Sequence, residues 1–360
     1  MAIPIPSELS EMPSDSLQES WIEQAGQSPG SVHEGELPAG ASRLCIWCQG
    51  NLSPNPALYA QDQLKRIAGV FAFYCCQQCG SLVLHPRPTS EEAASFYEED
   101  YMFERLPSNH VSGLWNTLEW HLLYRRWYLQ DSRRIRRVLG SGSIRLLDVG
   151  CGPGLRLQVF REDGMQAEGI EVSERSFRYA TERLRLPVRK TTLEELGRNG
   201  ERFDVVTLYA VLEHIPDPRP FLRLATRLIR PGGLLVIRIP VKEALLVRLL
   251  GARHRVYGEV PRHVWIPSVK GLIEGVEAEG TELICRAPVS ILTSAATFAI
   301  SIYPTGSSSL AGSHSSIRFM LRRALAGLVM LSGTPLALCE YLQGLTSETD
   351  FLFRICPTGS

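Results

Sequence analysis

Leu146-Leu147-Asp148-Val149-Gly150-Cys151-Gly152-Pro153-Gly154 carries an apolar run straight into a turn with glycine at every second position. Ile144–Val149 reads as a buried strand and Leu155–Asp163, beyond the turn, as a helix. The glycines let backbone approach a ligand closely, and the helix N-terminus behind them favours negative charge. The next strand ends at Glu171, 17 residues past Gly154. A carboxylate there can accept hydrogen bonds from both hydroxyls of a ribose. Together these features describe a pocket for an adenosine-bearing ligand at the carboxyl edge of a sheet.

Working outward, short apolar runs alternate with amphipathic segments. Strands are predicted at Ile144–Val149, Ala167–Glu171, Pro187–Lys190, Phe203–Leu208 and Leu234–Ile239. Helices are predicted between them at Leu155–Asp163, Ser173–Leu184, Leu193–Gly197 and Pro220–Ile229. That alternation implies parallel pairing through right-handed crossovers, hence a doubly wound α/β sheet. A dinucleotide loop would read Gly-x-Gly-x-x-Gly after a strand with an apolar end. This loop is one residue shorter and has Asp148 ahead of it, which repels a pyrophosphate and suits a cationic sulfonium.

On these residues the chain resembles the class I S-adenosylmethionine-dependent methyltransferases. The resemblance extends to Phe203-Asp204-Val205-Val206-Thr207-Leu208-Tyr209-Ala210-Val211-Leu212-Glu213-His214-Ile215-Pro216-Asp217-Pro218, similar to the family's fourth-strand motif. It extends again to Leu228-Ile229-Arg230-Pro231-Gly232-Gly233-Leu234-Leu235-Val236-Ile237, similar to the turn into the fifth strand. The resemblance implies a Rossmann-like sheet of seven strands, closed by an antiparallel pair at Thr281–Ala287 and Phe351–Cys356. It implies that Asp148, Gly150, Cys151, Gly152 and Gly154 surround the methionine part of S-adenosylmethionine and that Glu171 binds the ribose. Val172 and Leu193 would flank the adenine, and Tyr209 would line the methyl-transfer channel.

Methyl transfer is an in-line displacement that asks the enzyme mainly to align its reactants in a dry pocket. An oxygen nucleophile often needs a base as well. His214 follows Glu213 at the end of the fourth strand, and His263 lies in Val260-Pro261-Arg262-His263-Val264-Trp265, so both are candidates. Either could equally be a structural histidine. Glu213-His214 also resembles the metal-assisted O-methyltransferases of quinone biosynthesis. Those carry a further Glu where this chain has Ala210, so a catalytic metal is not expected. Arg253, Arg255 and Arg262 either anchor an anionic substrate group or face solvent.

Upstream, Cys45-Ile-Trp-Cys48 and Cys76-Gln-Gln-Cys79 are separated by 27 residues. Two such knuckles supply the four thiolates of a tetrahedral zinc site with no open position, so a structural Zn2+ ribbon is expected over 43–88. Cys75 is an alternative ligand in a shifted register. Residues 1–42 hold seven acidic residues and no Lys or Arg, and read as a disordered acidic tail. A docking peptide at Trp21-Ile22 is the other reading of that segment. Residues 89–140 read as helical: a short helix opens at Ser90-Glu91-Glu92, and a longer one runs from about Leu114 to Leu139. Its arginines at 125, 126, 133, 134, 136 and 137 are read first as a solvated face and second as an anion site.

The chain has 38 basic and 38 acidic residues among 360, which gives no general basic excess for nucleic acid. No secretory signal is visible, and nine cysteines fit a reducing cytoplasm. Residues 141–288 would form the core, and 289–348 a helical apolar insertion ahead of the last strand and tail at 349–360. That insertion either caps the site or makes a peripheral contact with membrane. The resulting expectation is transfer of methyl to a hydroxyl of a small-molecule, sugar or lipid-linked acceptor. The rivals are an RNA methyltransferase that uses the ribbon, a sugar C-methyltransferase, and a non-catalytic scaffold with this fold.

Overall fold

The computed structural model describes residues 44–63, 67–96, 125–198, 200–303 and 317–356. The acidic tail and the predicted helical residues 114–124 therefore lie outside the described residues. Seven strands form the principal sheet: β4 (Arg145–Val149), β5 (Gln166–Ile170), β6 (Val188–Arg189), β7 (Phe203–Tyr209), β8 (Ile229–Pro240), β10 (Thr281–Pro288) and β11 (Glu348–Ile355). Their order is β10-β11-β8-β7-β4-β5-β6. The five strands from β6 to β8 are parallel, and β11 runs antiparallel between β8 and β10. This is the doubly wound seven-stranded sheet that the sequence implies, with its switch point between β4 and β7. Ligands of such sheets bind outside the carboxyl ends of the strands at that point.

The helices are α1 (Ser90–Ser95), α2 (Arg125–Leu139), α3 (Leu155–Glu162), α4 (Glu174–Arg178), α5 (Leu193–Gly197), α6 (Pro218–Arg227), α7 (Leu245–Leu250), α8 (Val269–Glu277), α9 (Ile291–Ile302) and α10 (Ile317–Leu342). One predicted helix is interrupted: α4 gives way to a wider π turn over Tyr179–Arg183. The expected turn at Arg230–Gly233 lies inside β8, where the pairing with β7 steps from Phe203–Ile229 to Val205–Leu234 and the intervening residues bulge outward. Each face of the sheet has its own apolar core. Ile135, Leu146, Phe160 and Val205 belong to one, and Leu147, Val206, Leu222 and Ile237 to the other.

That second core does not stop at the sheet. It continues through Trp265, Phe73 and Val83 to Trp47 and Cys45 in the N-terminal module. Three strands of that module, β1 (Leu58–Ala60), β2 (Phe71–Cys75) and β3 (Leu82–His85), are joined by β9 (Trp265–Ile266) from the main domain. The Trp47 ring stacks on Trp265 with centroids 4.7 Å apart. Its Nε1 donates to the Gly271 carbonyl at 2.6 Å. The ribbon is thus built onto the domain by backbone pairing and shared core.

The arginine run on α2 divides by face. Arg126, Arg133 and Arg137 are exposed, at steps of seven and four residues. Arg125, by contrast, reaches Glu162 at 3.2 Å and Arg136 reaches Asp163 at 2.9 Å, both on or next to α3. Arg134 pairs with Asp350 of β11. The solvated-face reading therefore covers half of the run, and the other half fastens α2 to the sheet and to α3.

Candidate functional site

The turn after β4 is held in a conformation that suits glycine: φ is 64° at Gly150, 56° at Gly152 and 81° at Gly154. At Gly154 a Cβ would lie 2.6 Å from Leu186 Cδ1, and at Gly150 one would lie 2.9 Å from Val211 Cγ2, so side chains are excluded twice over. The N–H groups of Gly150 and Cys151 donate to the Ile170 carbonyl at 2.9 and 3.1 Å, which ties the turn to the end of β5.

Glu171 closes the same turn from the other side. One carboxylate oxygen accepts the Gly152 N–H at 2.8 Å, and the other accepts the N–H groups of Val172 and Ser173 at 2.9 and 2.8 Å. Burial pushes the Glu171 pKa up, and those three donors pull against it. Asp148 lies across the turn, at the buried end of β4. It accepts a hydrogen bond from the hydroxyl of Thr207 on β7 at 2.7 Å, and burial raises its pKa to about 6. Two carboxylates thus flank a left-handed glycine turn at adjacent strand ends.

The other predicted cofactor residues divide. Val172 is exposed beside Glu171 and available to a ligand. Leu193 is buried at the start of α5 and belongs to the apolar core. Cys151 is half-buried beside Gly169, where burial lifts its pKa well above the ordinary thiol range.

Tyr209 ends β7 with two guanidinium groups against its ring, Arg156 at 3.9 Å and Arg238 at 4.8 Å from its centroid. Burial pushes its pKa far up, so its hydroxyl keeps its proton. Beneath it lies a buried ionic network absent from the sequence reading. Arg238 donates to Asp131 at 2.7 Å and to both oxygens of Asp350 at 2.7 and 2.9 Å. Arg156 reaches Asp131 at 3.1 Å. The network braces α2, α3, β8 and β11 around the ring. The signal for it was present: Arg238 and Asp350 are charged residues inside strands that otherwise read as buried. Their strand neighbours gave no hint that each is the other's partner.

The two histidines meet. The rings of His214 and His263 lie 4.7 Å apart. His214 Nδ1 is 3.0 Å from the Arg262 carbonyl and His263 Nδ1 is 2.7 Å from the Val256 carbonyl. A carbonyl oxygen only accepts, so each Nδ1 carries a proton and each Nε2 is the basic nitrogen. His263 is buried, and desolvation together with His214 holds its pKa well below the usual value. His214 is only half-buried. Glu213 is fully buried, its Oε2 lacks a hydrogen-bond partner among the described residues, and burial raises its pKa far above the carboxylate range. Glu213, His214 and His263 bring their ligand atoms within 4.8 Å of one another, a carboxylate–imidazole donor set of the type zinc accepts.

Of the three arginines after β8, Arg253 is exposed, while the other two are held by carboxylates. Arg262 is buried against Asp62 of the N-terminal module at 2.6 Å, and Arg255 pairs with Glu259 at 2.7 Å.

The four cysteines gather as the spacing predicts: Cys45, Cys48, Cys76 and Cys79 place their sulfurs within 4.8 Å of one another. Cys45 and Cys79 lie 3.7 Å apart, and Cys48 and Cys76 3.4 Å. Four thiolates about 2.3 Å from one Zn2+ would be separated by about 3.8 Å along each tetrahedral edge, so the group fits the ion. Backbone N–H groups of Trp47, Gly50 and Cys79 donate to three of the sulfurs, each at 3.4 Å. Cys75 turns instead toward the Cys76 and Gly80 carbonyls, outside the cluster.

Comparison with known proteins agrees with this geometry. Residues 120–285 match the family model described as a methyltransferase domain. A ubiquinone biosynthesis O-methyltransferase from Cereibacter sphaeroides is 39% identical over 109 residues, or 29% of this chain and 44% of that protein. One from Parvibaculum lavamentivorans is 34% identical over 144 residues, or 38% of this chain and 55% of that protein. The chain spans about half the length of these curated relatives. Among solved structures, the 1,6-didemethyltoxoflavin-N1-methyltransferase of Burkholderia thailandensis aligns over 80% of this chain and 96% of its own, with a TM-score of 0.43 at 16% identity.

Proposed function

We propose, from the match of residues 120–285 to the methyltransferase-domain model, that the chain transfers the methyl group of S-adenosylmethionine to a hydroxyl oxygen of a small-molecule, sugar or lipid-linked acceptor. The observation that carries this reading is the pair of buried carboxylates, Asp148 and Glu171, across the left-handed glycine turn. When bound, the cofactor supplies a methyl carbon activated by its positive sulfur. Glu171 would hold the ribose, and Asp148 would offer negative charge to the sulfonium side. Tyr209, fixed by its two arginines, forms a wall of the transfer channel. His214 is the base we assign: its Nε2 would take the proton from the acceptor hydroxyl. His263, buried and neutral, positions His214 from behind. The four cysteines hold a structural Zn2+ that orders the ribbon. Four thiols gathered as one metal-type cluster favour a reducing cytoplasm as the location. If the acceptor is dissolved in a membrane, residues 289–348 are the segment that meets it.

Calorimetric titration with S-adenosylhomocysteine tests the reading. We expect micromolar binding that Glu171→Ala weakens at least tenfold, about 1.4 kcal/mol. Thermal melts of the variant separate lost ligand contacts from a loosened turn, since Glu171 also holds Gly152. Absence of binding by folded wild-type protein would overturn the assignment. A second test uses Asp148. Its pKa near 6 means that it gains a proton, and loses its charge, as pH falls from 8 to 5. The preference for the cationic methyl donor over its neutral thioether product should fall several-fold over that range, and Asp148→Asn should flatten the change. An equal pH dependence for both ligands would remove the sulfonium role from Asp148.

A further inference from the structure

The insertion between β10 and β11 is an antiparallel-sheet connection drawn out into two helices, α9 and α10. It leaves the sheet at Pro288 and returns at Glu348, which pairs with Pro240 at the carboxyl end of β8. That is the edge that holds the glycine turn, Glu171 and Tyr209. Gly333 of α10 lies so close to α9 that a Cβ there would meet Phe298 Cδ1 at 2.3 Å, so the two helices are firmly packed.

The outward side of α10 is apolar. Leu325, Leu328, Leu331, Pro335, Leu338 and Leu342 are exposed at steps of three or four residues, which places them along one helix face. Leu328, Leu331 and Leu342 are 64, 67 and 75% exposed. The only charged residue in 325–342 is Glu340, and it is fully buried, accepting the Leu246 N–H of α7 at 2.9 Å. The two aliphatic hydroxyls on this stretch are satisfied within their own helix. Ser332 donates to the Val329 carbonyl at 2.7 Å and Thr334 to the Met330 carbonyl at 3.1 Å. Self-satisfied polar groups and an uncharged apolar face are what hydrocarbon requires of a helix. Just before this stretch, the sequence places Arg318, Arg322 and Arg323.

From this we propose that the α9–α10 hairpin seats the exposed face of α10 in the surface of a bilayer carrying anionic lipids, with the cofactor edge beside it. The helix lies in the interface and does not cross. Residues Leu325–Leu342 are long and apolar enough to span. But α9 has only 12 residues, about 18 Å, against a hydrocarbon thickness of about 30 Å. Three arginines ahead of the leucines in sequence carry the charge that suits anionic headgroups, and the leucine face suits the acyl boundary beneath them. The inference does not depend on the methyl-transfer reading, because binding to lipid needs neither cofactor nor acceptor.

The test is co-sedimentation of the full zinc-loaded chain with phosphatidylcholine vesicles, with and without phosphatidylglycerol. We expect binding to the anionic vesicles that Leu328→Glu/Leu331→Glu reduces by at least about tenfold. Lys270→Glu on exposed α8 makes the same change in net charge and should leave binding intact. Circular dichroism and thermal melts confirm that both variants fold. Failure of wild-type protein to bind either vesicle overturns the proposal, as does equal loss in the two variants. So does a wild-type dimer in light scattering that the leucine variant splits without any lipid binding, since the face would then join two copies of the chain.

Discussion

The ribbon joins the sheet through a β3–β9 ladder, a tryptophan stack and a buried Arg262–Asp62 pair. The α9–α10 hairpin joins it through two side chains that accept backbone N–H groups, Glu340 from Leu246 and Ser301 from Arg255, both at 2.9 Å. The ribbon turns its apolar residues toward the domain, and the hairpin keeps a row of leucines facing out. The difference teaches which appendage is part of the folding unit. A segment whose large side chains complete the domain core shares its stability. A segment that leaves an apolar face open is fitted for something outside the chain.

Removal of the metal should have the largest effect. The ribbon has too small a core to stand alone, so stripping Zn2+ with a chelator costs on the order of 10 kcal/mol of binding energy coupled to folding. Because Trp47 and Trp265 share one core, the main domain should lose stability with it. Metal analysis should find one Zn2+ per chain. Differential scanning calorimetry should show a single transition that falls on chelation. Two independent transitions, with the domain unchanged, would break the comparison by making the ribbon a separate unit.

Arg262→Met comes next. It takes the guanidinium away from the buried Asp62 carboxylate, which keeps the Ile67 N–H at 3.0 Å, and should cost about 3–5 kcal/mol in urea unfolding, part of which a second change, Asp62→Leu, recovers. A loss below about 1 kcal/mol would mean that the seam is wet and the ribbon only loosely attached.

The contrast in attachment was only partly legible in the sequence. The glycine turn, Glu171 and the paired Cys-x-x-Cys knuckles could be read because each is a local spacing with a backbone reason behind it. The parallel strands could be read from their apolar runs. What joins the parts could not. β9 has two residues and therefore no period to detect. The Arg262–Asp62 pair links positions 200 residues apart. Arg238 and Asp350 stand 112 apart, and only the antiparallel register of β8 with β11 brings them opposite each other. The arginines of α2 looked alike in sequence, yet the helix turns three of them to solvent and three to acidic partners, a division that depends on what lies beneath the helix.

The smallest expected effect sharpens the comparison most, because one helix supplies both halves of it. Leu331→Glu places a charge on the open face of α10 and should alter urea stability by no more than about 0.5 kcal/mol. Ala337 lies on the same helix but is fully buried against its neighbours. Ala337→Glu must force a carboxylate into that contact and should cost several times as much, about 2–4 kcal/mol, unless the hairpin swings away from α7. If the hairpin does swing away, Ala337→Glu should leave S-adenosylhomocysteine affinity unchanged while proteolysis within 289–347 accelerates. If Leu331→Glu costs as much as Ala337→Glu in the lipid-free protein, the leucine face is already covered. The hairpin would then be a second integral appendage like the ribbon, with no face left to meet a membrane.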